Sequence, residues 1–262
     1  MTRVAIVTGA ARGIGAATVR ALAADGWAVV AVDLARDDPR LPYAFGSDEE
    51  LMASVAAAER LGSAAVAIRG DACEEAVLAE AVERAQGLGD LDAIVADAGA
   101  IAGGAPAWEL AAEQQQAVIE VNLLATIGAA RVGVPALLQR PQPRSGRFIA
   151  LSSAAAVRGM PGLAAYSAAK AGVAGFIRGL AADLRGTGVT ANAVSPGSTR
   201  TPLLDESARL YGLASAEEFA AQQPLERLLE PEEVAAMITW LAGPDSSAVT
   251  GATLPVDGGL SL

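Results

Sequence analysis

Short apolar runs alternate with longer stretches of helical spacing along this chain. Val4–Val7, Ala28–Val32, Ala65–Ile68, Ala93–Ala96, Arg147–Leu151, Val189–Val194 and Thr253–Val256 predict seven short strands. Several are unbroken β-branched or small apolar runs, the pattern of strands covered on both faces. Between them, the spacing predicts helices near 13–25, 48–61, 74–87, 109–138, 164–185 and 231–242. Pro135, near the end of the fourth, predicts a kink or a stop there. This alternation predicts an α/β fold: a doubly wound, seven-stranded parallel sheet with helices on both faces. No linker or internal repeat divides the chain, so 1–262 is expected to form one domain.

Two stretches break the rhythm. Residues 34–47 stand where a strand-to-helix loop of about 2–6 residues is usual, so they read as an insertion. Residues 198–230 hold short helical pieces with Leu203, Leu204, Tyr211 and Phe219, and read as a substrate-binding loop or lid.

Composition narrows the chemistry. The net charge is −11, which argues against nucleic acid and anionic membrane surfaces. There is no histidine, so histidine bases and ligands are excluded, and no metal set is expected. The single Cys73 excludes an internal disulfide and fits a reducing compartment. The apolar runs look too short for a membrane span and the start reads directly into a strand, so a cytoplasmic protein is expected.

After the first strand comes Thr8-Gly9-Ala10-Ala11-Arg12-Gly13-Ile14-Gly15, opening a helix. Glycines permit a tight turn and close backbone approach, and a helix N-terminus offers free N–H groups to a pyrophosphate, the logic of the Rossmann fold. Asp33 ends the second strand, where a carboxylate accepts ribose hydroxyls and repels a 2′-phosphate. That favours NAD over NADP, although Arg12 and Arg36 lie near enough to meet a phosphate. Lys170 is the one lysine in a chain with 19 basic residues. It follows Tyr166 by four positions, which share a helix face. A neighbouring ammonium, with a positive nicotinamide, is expected to lower a phenol pKa that is otherwise near 10.

These residues resemble the short-chain dehydrogenase/reductase family over nearly the whole chain. Thr8–Gly15, Asp33, Asp71-Ala72, Asn122, Ser152-Ser153, Tyr166, Lys170, Asn192–Gly197 and Val256–Gly259 fall in the family's order and spacing. The resemblance implies catalytic roles for Asn122, Ser153, Tyr166 and Lys170. Tyr166 would be the acid/base, Ser153 would hold the substrate oxygen, and Asn122 would orient a water joining Lys170 to solvent. It implies dinucleotide contacts from Gly9, Arg12, Gly13, Ile14, Gly15, Asp33, Leu34, Asp71, Ala72, Asp97, Ala98, Gly99, Tyr166, Lys170, Pro196, Gly197, Thr199 and Thr201. Two positions depart from the family pattern. Asp97 stands where an asparagine is common and lacks its amide donor, and Thr199 replaces an aliphatic residue.

The insertion, with Leu41-Pro42-Tyr43 and Phe45, resembles a narrower branch: the mycofactocin-associated, carveol dehydrogenase-like proteins. That resemblance implies tightly held NAD and transfer of electrons to an external carrier. Leu41, Tyr43 and Phe45 are expected to fold over the adenine. A pocket from Ser153, Ala154, Val157, Met160, Leu203, Leu204 and Tyr211 would suit a small apolar alcohol or ketone. Gly172, Gly175 and Gly179 on 164–185, with the alanine-rich 109–138, are expected to allow close packing, and the family implies a homotetramer or dimer. Two alternatives stay open: an NADPH-dependent 3-oxoacyl-type carbonyl reductase, and a non-enzymatic NAD-binding protein.

Overall fold

The computed structural model describes residues 2–262. Seven strands form one parallel sheet: β1 (Arg3–Thr8), β2 (Ala28–Asp33), β3 (Ala65–Arg69), β4 (Asp90–Ala96), β5 (Arg147–Leu151), β6 (Thr190–Pro196) and β7 (Thr253–Val256). Their order is β3-β2-β1-β4-β5-β6-β7, as expected of a doubly wound Rossmann-type sheet.

Strand side chains alternate between faces, and β1 shows the consequence. Val4 and Ile6 join one apolar layer, with α3 (Glu75–Leu88), α5 (Ala125–Gln139) and α6 (Ala164–Asp183). Ala5 and Val7 join the other, with α1 (Gly13–Ala24), α2 (Asp48–Arg60) and α8 (Pro231–Ala242). Burial on both faces is why these strands read as unbroken apolar runs. Each fully buried valine or isoleucine stabilises the fold by about 1.5–3 kcal/mol.

The predicted helix 109–138 differs in three ways. It begins later, at Ala112, with α4 spanning Ala112–Ile119. A π-helical turn at Glu120–Leu124 then joins α4 to α5. Pro135 does not stop α5, which runs on to Gln139. The carbonyl of Arg131, left without its helical donor, lies at an exposed position where solvent can serve it, while Val134 and Leu137 hold the inner face in the core. The continuous helix Ala112–Gln139 is 28 residues long and apolar enough to cross a bilayer by length and composition, contrary to the expectation. Half of its most apolar stretch is buried within this fold, as suits a core helix. Of the three glycines on α6, Gly172 lets Leu123 approach so closely that a Cβ would sit 2.8 Å from Leu123 Cδ2. Around Gly175 and Gly179 there is room.

The order of strands reverses between β1 and β4. In such sheets ligands bind in the crevice beyond the carboxyl ends of the strands at that reversal. Two irregular segments wall the crevice: the 34–47 insertion, and 198–230 with α7 (Pro202–Leu210) and a 3₁₀ turn at Ala216–Gln222.

Candidate active site

The turn after β1 is shaped by contact with the β4 loop. Gly9 has φ +69°, and a Cβ there would stand 2.9 Å from the Ala98 backbone. At Gly15 a Cβ would stand 2.0 Å from the Gly9 carbonyl oxygen. These two glycines let β1, α1 and the β4 loop meet at one point. Thr8 Oγ1 accepts from the backbone N–H groups of Asp97 and Ala98, both at 3.1 Å, and fixes that loop. No side chain caps α1, so its first-turn N–H groups remain open to the cleft, as a pyrophosphate would need.

A cleft of about 160 Å³ opens there, lined by Gly9, Arg12, Gly13, Ile14, Asp33, Leu34, Asp71, Ala72, Asp97, Ala98, Gly99 and Thr201. Gly15 lies beneath the cleft wall, packed on Gly9. Asp33 is locked in place: its two carboxylate oxygens accept from Ala11 and Ala35 backbone N–H groups, each at 3.0 Å. Asp71 and Ala72 lie just past the end of β3 at Arg69.

The insertion closes one side of this cleft. Tyr43 and Phe45 line it, with ring centroids 5.0 Å apart. The Tyr43 hydroxyl accepts from the Ile101 N–H at 2.9 Å, and Arg12 donates to the Ala44 carbonyl at 2.6 Å. Arg40 pairs with Asp38 and with Glu120 in the π-helical turn. Leu41 does not face the cleft. It is buried in an apolar cluster that includes Ala100, Ile101 and Ala102.

A second cavity, of about 440 Å³, adjoins the first, and Ile14, Asp97, Gly99, Thr201 and Leu203 line both. Ser153, Tyr166 and Lys170 come together on its wall, with Pro196, Gly197 and Thr199. Ser153 caps a 3₁₀ turn by accepting from Ala155 N–H at 3.1 Å, which fixes its hydroxyl after β5. That hydroxyl is near enough to Tyr166 to pull the phenol pKa down. Burial is stronger, however, and the phenol lies above its ordinary value of 10.0. Lys170 Nζ stands 5.8 Å from the Tyr166 ring centroid. The expected acidifying effect of Lys170 does not show: burial and the Asp97 carboxylate raise the phenol, and only the Ser153 hydroxyl lowers it.

Lys170 itself is 4% exposed and donates to the Leu151 carbonyl at 2.8 Å. Burial lowers its pKa from 10.5 to about 8, with Asp97 opposing that shift. Asp97 is pushed up by desolvation, against the pull of Lys170. No hydrogen bond reaches its carboxylate among the described residues, so its oxygens stay free at the junction of the two cavities.

Asn122 is fully buried in the π-helical turn. Its Nδ2 donates to the carbonyls of Ala100 and Val118, both at 2.7 Å, and its Oδ1 accepts from Ala100 N–H at 3.3 Å. The side chain thus ties the β4 loop to the helix. The π-turn, a frequent mark of functional sites, gave no signal in the sequence spacing.

Of the expected substrate residues, Ala154, Met160, Leu203, Leu204 and Tyr211 line the larger cavity. Val157 does not: it is 74% exposed, because the turn after Ala156 directs it to solvent. Phe219, noted in the 198–230 segment, also lines it. Ile101, Leu163, Leu213 and Arg158 line it too and were not expected, since they carry no distinguishing local pattern.

The enoyl-(acyl carrier protein) reductase family model of short-chain dehydrogenases matches residues 9–261. The chain belongs to the short-chain dehydrogenase/reductase family. Among relatives in that family, cis-4-hydroxycyclohexanecarboxylate dehydrogenase of Sinomonas cyclohexanicum is 42% identical over 259 residues, covering 98% of this chain and 96% of the relative. Carveol dehydrogenase of Mycobacterium avium, solved in complex with NAD, superposes with a TM-score of 0.92 at 28% identity, covering 98% of this chain and 97% of that one. A short-chain dehydrogenase of Mycobacterium paratuberculosis bound to NAD gives a TM-score of 0.88 at 32% identity, covering 99% and 97%. The fit to carveol dehydrogenase accords with the branch that the insertion resembles.

Proposed function

We propose that this protein is an NAD-dependent oxidoreductase that interconverts a cyclic, largely apolar secondary alcohol and its ketone, with Tyr166 as acid/base. One observation carries the reading: Ser153, Tyr166 and Lys170 converge on the apolar cavity that adjoins the glycine-turn cleft. Two of the relatives named above, the cis-4-hydroxycyclohexanecarboxylate and carveol dehydrogenases, act on cyclic alcohols by their names, and both solved neighbours hold NAD.

The residues present fit NAD. The uncapped start of α1 suits the pyrophosphate, and Asp33, held by two backbone N–H groups, suits the adenosine ribose. A 2′-phosphate would meet that carboxylate, while Arg36 is exposed and lies outside the cleft and Arg12 is engaged by Ala44. This favours NAD over the NADPH-dependent carbonyl reductase reading. NAD supplies the hydride acceptor when bound. Ser153 then orients the substrate hydroxyl, Tyr166 takes its proton, and Lys170 supplies the positive potential that holds the phenolate. Asn122 serves the relay by fixing the Gly99–Ala100 backbone beside Lys170. The complete set of groups argues against a purely NAD-binding role.

Tight retention of NAD, transfer to an external carrier and a mycofactocin-linked role belong to the same proposal. Tyr43, Phe45 and the Arg40–Glu120 pair supply the strap that retention requires. Exposed Trp108 and Leu124, beside α4 and α5, offer apolar surface that a dimer or tetramer would cover. A cytoplasmic setting suits the free Cys73.

The decisive experiment is Tyr166→Phe assayed with a panel of cyclic alcohols and a redox-dye acceptor. Turnover is expected to fall by about 10²–10⁴ while NAD binding persists. Undiminished turnover would remove Tyr166 from the mechanism.

A further inference from the structure

The larger cavity has a charge at its substrate end that the proposed hydride chemistry does not use. Three charged side chains line it: Asp97, Lys170 and Arg158. The first two belong to the cofactor junction. Arg158 is an exposed residue on the lining that also includes Met160, Leu204, Leu213 and Phe219. Its guanidinium makes one hydrogen bond, from Nη1 to the Leu260 carbonyl at 2.9 Å. No carboxylate pairs with it among the described residues, although Arg40, Arg69, Arg140, Arg200, Arg209 and Arg227 all have acidic partners.

We infer that the substrate carries a carboxylate, and that Arg158 grips it while the carbinol end lies at Ser153 and Tyr166. This deepens the proposed function and rests on it. A guanidinium presents five N–H donors in a planar fork that matches a carboxylate with two parallel bonds. Leu260 occupies one of those donors, so a bidentate edge remains. Anchoring the Leu260 segment would need only a single donor.

The turn bearing Arg158 is tied by hydrogen bonds. Its backbone N–H donates to the Ala154 carbonyl at 2.9 Å, one residue beyond Ser153, whose hydroxyl caps the same turn. Ser153 and Arg158 thus leave the same turn and line the same cavity, so one ligand can meet both. The walls between them are apolar and suit a carbocycle. Electrostatics favours an arginine at such a site. A chain of net charge −11 repels anions at long range, and Arg158, an exposed cation on the cavity lining, reverses that sign locally.

The test is calorimetric titration of the full-length protein saturated with NAD, using two probes that cannot be oxidised as alcohols. Cyclohexanecarboxylate carries the anion, and cyclohexanecarboxamide is its neutral isostere. The wild type is expected to bind the carboxylate at least about tenfold more tightly, and Arg158→Gln to bring that ratio near one. Arg158→Lys should keep part of the preference. Equal binding of the two probes, binding of neither, or a preference that survives Arg158→Gln would overturn the inference. So would equal weakening of both probes with a lowered melting temperature, the signature of an anchor for the Leu260 segment. Oxidation of 4-hydroxycyclohexanecarboxylate and 4-methylcyclohexanol is measured separately. An intact carboxylate preference without oxidation of either alcohol would refute the hydride-transfer reading and leave the anion site standing.

Discussion

Replacing Lys170 with methionine should make the protein more stable at neutral pH while removing its activity. Lys170 is buried, its ammonium has one protein acceptor, and its pKa falls from 10.5 to about 8. At about 1.4 kcal/mol per tenfold, that drop is a penalty of about 3 kcal/mol, carried in full below pH 8. Between pH 8 and 10.5 the unfolded chain binds this proton and the folded chain does not, so stability contributed by this site rises with pH. Methionine has no such proton. It does leave the Leu151 carbonyl unpaired, at a cost of about 1–3 kcal/mol, and deprives Asp97 of its cation. The gain at pH 7.5 is therefore at most about 2 kcal/mol. The pH dependence is the sharper quantity. Integrating the linkage from pH 7.5 to 10, the wild type should gain about 2 kcal/mol on Lys170→Met. Any rise in the Asp97 pKa in the variant acts in the same direction, because its deprotonation then costs stability over that range. Urea unfolding of nucleotide-free protein at both pH values measures the difference. A stability gap that stays constant from pH 7.5 to 10 would refute the claim that Lys170 is held against its charged form.

Two further outcomes follow from the cofactor cleft. Asp33→Ser removes a carboxylate that accepts from two backbone N–H groups, so the NAD-to-NADP preference should drop by about tenfold or more in nucleotide titrations, with some loss of stability in the turn. Tyr43→Ala removes both the Ile101 hydrogen bond and the stack on Phe45, so NAD should leave several-fold faster in stopped-flow displacement with cyclic-alcohol turnover still measurable. Unchanged release would separate the insertion from cofactor retention.

The aromatic pair and Leu41 show how far local sequence reaches. All three are apolar residues of one insertion, and sequence places them alike beside the adenosine. In the fold Tyr43 and Phe45 face the cleft, whereas Leu41 fills a crevice beside Ala100–Ala102. Val157 and Arg158 show the same limit one residue apart. Both are exposed, yet only the charged one also lines the cavity.

What the sequence determined by itself was whatever depends on periodicity and chain order. Runs such as Val4–Val7 and Ala28–Val32 specify a sheet buried on both faces, and Gly9, Gly13 and Gly15 specify a tight turn into α1. The Tyr166–Lys170 spacing specifies a shared helix face. Tertiary structure alone decided the fate of Pro135, whose helix continues because the packed face of α5 outweighs one missing hydrogen bond. It also decided the π-turn around Asn122, the depressed pKa of Lys170 and the unpaired fork of Arg158. Those properties arise from groups distant in the chain that exclude water or supply acceptors, and local pattern carries no record of which distant groups will meet.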